Sequence, residues 1–298
     1  MASSRQGCSI SANDIGWRYY DFGVPHSPET RHPCRLPVPS SRKSVRLVPV
    51  GTVIDLAPTL LAVAVLMVLA WVPLWVFRAP HRFAPVLAII RGAFQLAVIS
   101  LVLGGVITSP TWVGVALLAM FTVAASTAAR RIGWSWRHFA LVSTAMGAGI
   151  LITVSVVFAT GAIGFTPRYT LAIGGIVIGN AMSIATIAGR RFTESVDDQW
   201  EQVEGWLALG ATPRRATQEL SRRTIYSALI PTTDMTKTTG LVTLPGAFVG
   251  AIFGGVSPLA AGQFQIIVLA SIMAAGSITA VIIIWVLAPI RIRPGTPD

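Results

Sequence analysis

Acidic residues are scarce in this sequence, and they are unevenly placed. Of twelve Asp and Glu in 298 residues, seven lie between Leu56 and Pro297: Glu194, Asp197, Asp198, Glu201, Glu204, Glu219 and Asp234. Lysine occurs only at Lys43 and Lys237, and neither ends a G-x4-G-K-[ST] phosphate loop, so the chain carries no nucleotide site of that type. Cysteine is limited to Cys8 and Cys34, without C-x-x-C spacing or a histidine at ligand spacing, which argues against a metal or redox motif. Charged residues make up 12% of the chain, against about 25% in soluble globular domains. A soluble enzyme is excluded on that ground.

Long apolar runs fill the space instead. Hydrophobic residues reach 53%, and mean hydropathy is +0.67. Seven stretches read as membrane spans, at about 56–77, 86–107, 111–129, 138–160, 169–188, 241–256 and 263–288. The sixth is short for the roughly 20 residues that a bilayer requires. The predicted fold is therefore all-α, a polytopic transmembrane helical protein of about seven spans. The formal charge of +11 does not indicate a nucleic-acid partner, because the basic residues flank apolar runs and form no aromatic-interleaved patch. They read as orientation signals. Fifteen Lys and Arg lie in 78–91, 130–137, 189–239 and the segment after 289, whereas 108–110, 161–168 and 257–262 hold only Arg168. The positive-inside rule puts the first set in the cytosol, with the C-terminus, of a multi-pass plasma-membrane protein. Seven spans then place the N-terminus outside. Trp71, Trp75, Trp134, Trp136 and Trp285 mark the expected interfacial belts.

Residues 1–55 hold six prolines, seven Lys and Arg and no apolar run, the composition of a disordered basic, Pro-rich tail. The alternative is a start assigned too far upstream, with Val50 or Val53 as initiator. Residues 56–298 form the membrane domain. Within it, 189–239 is the outlier, a polar cytosolic loop that concentrates the carboxylates. A charged platform in a membrane protein points to a docking surface for another subunit. Glu204 precedes Gly210 by six residues, and Gly210 suits a tight turn between two helices.

Polar groups inside the expected spans are few: Arg91, Gln95, Asn180, Gln265 and scattered hydroxyls. Arg91 and Gln95, four apart, share a helix face. Arg91 is expected to snorkel to the cytosolic interface, and Gln95 and Asn180 to bond neighbouring helices. The alternative for each is contact with a transported solute. Asp234 and Lys237 pair at i,i+3 if their segment is helical. Gly175 with Gly179, and Gly246 with Gly250 and Gly254, have the small-residue spacing that permits close helix approach, within the chain, across a homodimer or along a gate. No carboxylate falls in an expected span. That disfavours an ion-coupled transporter and leaves no ligand set for a hard cation such as Fe²⁺.

Three strings carry a resemblance: Gly179-Asn180-Ala181-Met182, then Leu209-Gly210-Ala211-Thr212-Pro213, then Ala228-Leu229-Ile230-Pro231-Thr232-x-Asp234-x-x-Lys237-Thr238-x-Gly240-Leu241-Val242-x-Leu244-Pro245-Gly246. Together with Arg91-x3-Gln95-Leu96 they resemble the iron-export ABC permease family, FetB/YbbM-type in bacteria, with plant aluminium-tolerance permeases as relatives. The resemblance covers about 56–290. It implies a transport subunit and not an enzyme: the permease of an ABC-type exporter for a small solute, a metal ion such as iron. Binding no cofactor itself, the chain would pair as a homodimer in the lipid bilayer with a separate ABC ATPase subunit that carries ATP-Mg. By the same resemblance, Glu204, Leu209, Gly210, Ala211, Thr212 and Pro213 couple to the ATPase. Arg91, Gln95, Asn180, Met182, Pro231, Asp234, Lys237, Pro245 and Gly246 are pathway or gate candidates, and the metal ligands are unknown. Pro231 follows Gly210 by twenty-one residues, whereas the EAA loop of ABC permeases reaches its proline after about thirteen. The alternatives are a secondary transporter or channel without an ATPase, an ABC permease for a nucleotide sugar, and a membrane scaffold without transport.

Overall fold

The computed structural model describes residues 56–78, 80–106 and 109–293. The expectations for residues 1–55, including Cys8, Cys34, Val50 and Val53, lie outside them. The chain divides into two units, residues 1–68 and 69–298. In the first, the described residues are the opening turns of apolar helix α1 (Leu56–Val76). The second holds the rest of α1 and nine more helices among the described residues: α2 (Ala84–Val106), α3 (Pro110–Gly133), α4 (Trp136–Ala159), α5 (Pro167–Asp198), α6 (Trp200–Ala208), α7 (Pro213–Ala216), α8 (Gln218–Thr238), α9 (Gly246–Phe253) and α10 (Pro258–Leu287). No strand occurs among these residues; one isolated bridge joins Thr239 and Thr243.

Local chemistry sets the helix starts. Helices α3, α5 and α10 open with proline, whose missing N–H costs nothing in a first turn. Ser135 caps α4 by accepting the His138 N–H at 3.0 Å. Five helices are long and apolar enough to cross a membrane, in α1, α3, α4, α5 and α10, and the 23-residue α2 is apolar over most of its length.

The bundle core is made by α3, α4, α5, α8 and α10. Glycines allow the close approaches. A Cβ on Gly149 of α4 would stand 2.6 Å from the Ala275 carbonyl of α10, and one on Gly189 of α5 2.5 Å from Ile132 of α3. Of the glycines singled out by four-residue spacing, Gly175 of α5 packs closely, its built Cβ 3.1 Å from Met120 of α3. Gly179, Gly246 and Gly250 have no neighbour within 4 Å of a built Cβ, so their faces are unused within the described chain.

Cross-contacts fix the directions. Ile184 of α5 and Leu229 of α8 both reach Gly276 of α10, and Thr217 beside α8 bonds the Ala288 carbonyl at 2.8 Å. Helix α8 therefore runs antiparallel to α10, starting at its end and climbing along it. Its 21 residues extend about 31 Å at about 1.5 Å per residue. This corrects the sequence reading twice. Residues 241–256 form no continuous span: a turn precedes the eight-residue α9, which at about 12 Å cannot cross a core of about 30 Å. Most of 189–239 is helix, and α8 packs along α5 and α10. Hydropathy missed α8 because it is polar on average and is covered by α5 and α10.

The correction extends to the carboxylates. Gly276 lies eleven residues, about 16 Å, above the end of α10. Asp234, five residues beyond Leu229, stands about 7 Å higher still, near the middle of this 30-residue helix. Asp234 thus stands on a helix packed beside the membrane-length α10, well away from the platform end.

A leucine at Gly149 would drive side-chain atoms into the α10 backbone, which has no rotamer with which to yield. Gly149→Leu should cost about 1–3 kcal/mol and lower the melting temperature in detergent. Gly114→Ala, with open space around its Cβ, should leave it unchanged.

Candidate functional site

The end of the bundle holding Arg130, Arg131, Arg214, Arg215, Arg291 and Arg293 carries the platform. Helix α5 projects ten residues beyond Ala188, then α6 and α7 fold back beneath the bundle. Val203, Ala216 and Leu220 are buried in one cluster with Phe192 and Val196 of α5 and with Ile284 and Ala288 at the end of α10. Thr217 is fully buried, and its hydroxyl donates to Ala288 O. Arg293 donates to Asp197 Oδ1 at 2.6 Å; this hydrogen bond, with the charge behind it, holds the guanidinium above its ordinary pKa. The Arg214 guanidinium lies 4.2 Å from the Trp285 ring centroid, at cation–π distance. The platform is thus clamped to α5, α8 and α10, so a push on it reaches all three.

Gly210 ends α6. Its φ is +85°, a left-handed backbone that glycine alone adopts freely. Gly210 N–H bonds Leu207 O and Ala211 N–H bonds Trp206 O, both at 3.0 Å, the bond pair of a Schellman C-cap. The turn leaves Leu209 82% and Trp206 48% exposed. Glu204 and Thr212 are exposed too, and Ala211 and Pro213 are half-buried. An apolar tip ringed by a carboxylate and arginines is the composition of a docking surface. A groove with a volume of about 230 Å³ runs beside it between α6 and α8, lined by Val203, Trp206, Glu219 and Arg222.

The pathway candidates separate into three groups. Gln95 and Met182 meet, with Gly175, Gly179 and Met120, in a groove of about 490 Å³ between α2, α3 and α5. Arg91 is exposed and has no ion pair among the described residues. Asn180 bridges no helices: its Nδ2 donates to Ile176 O of its own helix at 2.9 Å. Pro245 caps α9 and Gly246 begins it, after an exposed apolar turn in which Leu241 is 91% exposed. Asp234 and Lys237 do pair, Nζ to Oδ1, at 3.4 Å with both side chains largely exposed. Facing hydrocarbon at mid-depth, each would cost roughly 2.5–3.5 kcal/mol.

Pro231 shows what sequence reasoning missed. A proline has no N–H, so the carbonyl four residues back, Ser227 O, loses its helical donor. Arg191 Nη1 of α5 lies 3.4 Å from that oxygen. The signal was present in the Ser227–Pro231 spacing, but its partner is thirty-six residues away. Among the described residues no group of three or more His, Cys, Asp or Glu is placed to hold a metal ion.

The profile of the uncharacterised protein family UPF0014 matches residues 57–290. The chain belongs to this family. Its UPF0014 relatives include the membrane protein STAR2 of rice, 40% identical over 197 residues, 65% of this chain and 69% of that protein. YjkA of Bacillus subtilis is 32% identical, with 70% of this chain and 84% of YjkA covered. The probable iron export permease protein FetB of Escherichia coli is 38% identical over 47% of this chain and 54% of FetB. No solved structure shows significant similarity. Members of UPF0014 thus include the bacterial and plant proteins that the three strings resembled, and the polytopic all-α fold agrees with their description as membrane proteins.

If Arg191 replaces the donor that Pro231 lacks, the two positions are coupled. Arg191→Met should destabilise the protein by about 0.5–1.5 kcal/mol, and by markedly less with Pro231→Ala present, where the residue-231 N–H serves Ser227 O. A double-mutant cycle on unfolding in micelles reads the difference.

Proposed function

We propose that this chain is the permease subunit of an ABC-type exporter, and that α6, Gly210 and α7 form the element that couples it to a separate ATPase subunit. The observation that carries this is the clamped platform with its exposed Trp206–Leu209 tip. An exposed apolar tip on a rigidly held helix turn has no role within the described chain. A groove on a soluble partner would cover it and transmit motion through Thr217, Arg214 and the α5 extension to the bundle. ATP-Mg would bind that partner, since the sequence has no phosphate loop. Two copies would surround the pathway in the plasma membrane, with the platform and C-terminus cytosolic. The name of the FetB relative supports iron, or another metal ion, as the solute.

One observation favours an ion-coupled transporter without an ATPase, namely Asp234 at mid-height, where sequence analysis placed no carboxylate. Its Lys237 partner neutralises it and weakens that case.

Gly210→Val forces a β-branched residue into positive φ. Because no atom lies within 4 Å of the built Cβ, the effect is backbone strain of roughly 1–3 kcal/mol. ATPase affinity should fall about tenfold while membrane insertion is kept, whereas Gly210→Asn, which tolerates this backbone, should stay near wild type. Glu204→Lys should weaken assembly by putting like charge against basic groups of the partner. The checks are co-purification of the ATPase and Fe²⁺ flux in vesicles; wild-type values for Gly210→Val and Glu204→Lys would move the coupling element elsewhere.

Orientation is checked separately. A single cysteine at Ile292, 82% exposed, with Cys8 and Cys34 replaced by serine, should resist an impermeant thiol reagent in intact cells and react in inverted vesicles. The opposite pattern would reverse the topology.

A further inference from the structure

Charged side chains on a helix packed among membrane-length helices need cover, and α8 has a face with none among the described residues. Tyr226, Ile230, Asp234 and Lys237 fall at i, i+4, i+8 and i+11 on one side of the helix. Tyr226 is 73% exposed, and the Asp234 and Lys237 side chains are 61% and 70% exposed. The neighbouring helix α5 adds Asn180 and Ser183, neither of them buried. The outer faces of α4 and α10 differ in kind. At matching heights they expose Leu151, Ile152 and Val156, and Ile266, Ala270, Ala274 and Val281, as lipid requires.

Resting on the permease reading above, we propose that a second copy of this chain seats against the α5–α8 face, so that the Asp234–Lys237 pairs of both copies face one pathway between them. The second copy is the occupant favoured by charge. An isologous contact presents one patch to itself, and a patch holding one carboxylate and one ammonium is its own complement, whereas a patch of one sign would repel its copy.

The test uses the full chain in membranes, with Cys8 and Cys34 replaced by serine. Ile230→Cys, oxidised by copper-phenanthroline, should give a cross-linked species of twice the mass, and Leu151→Cys on the α4 face should give none. An inserted Ile230→Cys variant that forms no dimer, or one that cross-links no better than Leu151→Cys, overturns the proposal; so does cross-linking of Ile230→Cys to a different polypeptide. A second arm reads the charges. Asp234→Lys leaves two cations on each copy, and Lys237→Asp leaves two anions. Co-expressed under different tags, these variants should be recovered as mixed pairs several-fold above either like pair; equal recovery overturns the facing of the charges. ATPase co-purification and Fe²⁺ flux separate this claim from the one beneath it. Flux with no Ile230 dimer would sink the contact and spare the permease reading, whereas an Ile230 dimer without ATPase or flux would do the reverse.

Discussion

Hydrocarbon offers a polar group no hydrogen bond, and that constraint organises this molecule. Several hydroxyls inside the bundle bond their own helices: Thr186 donates to Met182 O, Ser271 to Ile267 O and Thr279 to Ala275 O, each within 2.8 Å. Asn180 follows the same rule. Where Pro231 removes a donor, Arg191 reaches across from the next helix toward the freed carbonyl. Most charges are left at one end of the bundle, and that accumulation makes the platform. The same rule makes the α8 face an exception that needs a partner.

The platform converts this segregation into a mechanical link. Its anchors differ in kind: a buried apolar cluster, a buried hydroxyl bond to Ala288, a cation–π contact at Trp285 and the ion pair from Arg293 to Asp197. The exposed ion pair adds little stability by itself, but the buried cluster joins α5, α8 and α10 through side chains shielded from solvent. Gly210 then permits the chain to reverse at the tip without strain, which presents Leu209 outward.

Much of this was legible in the sequence. The apolar runs of α1, α3, α4, α5 and α10 are long and uninterrupted, and hydropathy places them to within a few residues, except where α5 runs ten residues past its apolar part. The demand for a turn at Gly210 was legible because glycine there separates two amphipathic segments. Helix α8 was not, because its burial comes from α5 and α10 and not from its own composition. Charges at Glu219, Arg222 and Arg223 marked its start as solvent-exposed, and nothing local reveals that Thr224, Ala228 and Leu229 descend along α10. Asp234 was misplaced for the same reason. Four-residue glycine spacing found one close contact, Gly175 against Met120, but missed Gly149, Gly189 and Gly276, which pack and lie outside those patterns.

Amide hydrogen exchange across residues 200–212, measured on the protein in lipid with and without the proposed ATPase partner, tests the platform most directly. Docking at the tip predicts slowed exchange at Leu207 through Ala211 when the ATPase is present, with no slowing on α4. Unchanged exchange there, with protection confined to the Trp134–Trp136 turn or absent everywhere, would contradict the account.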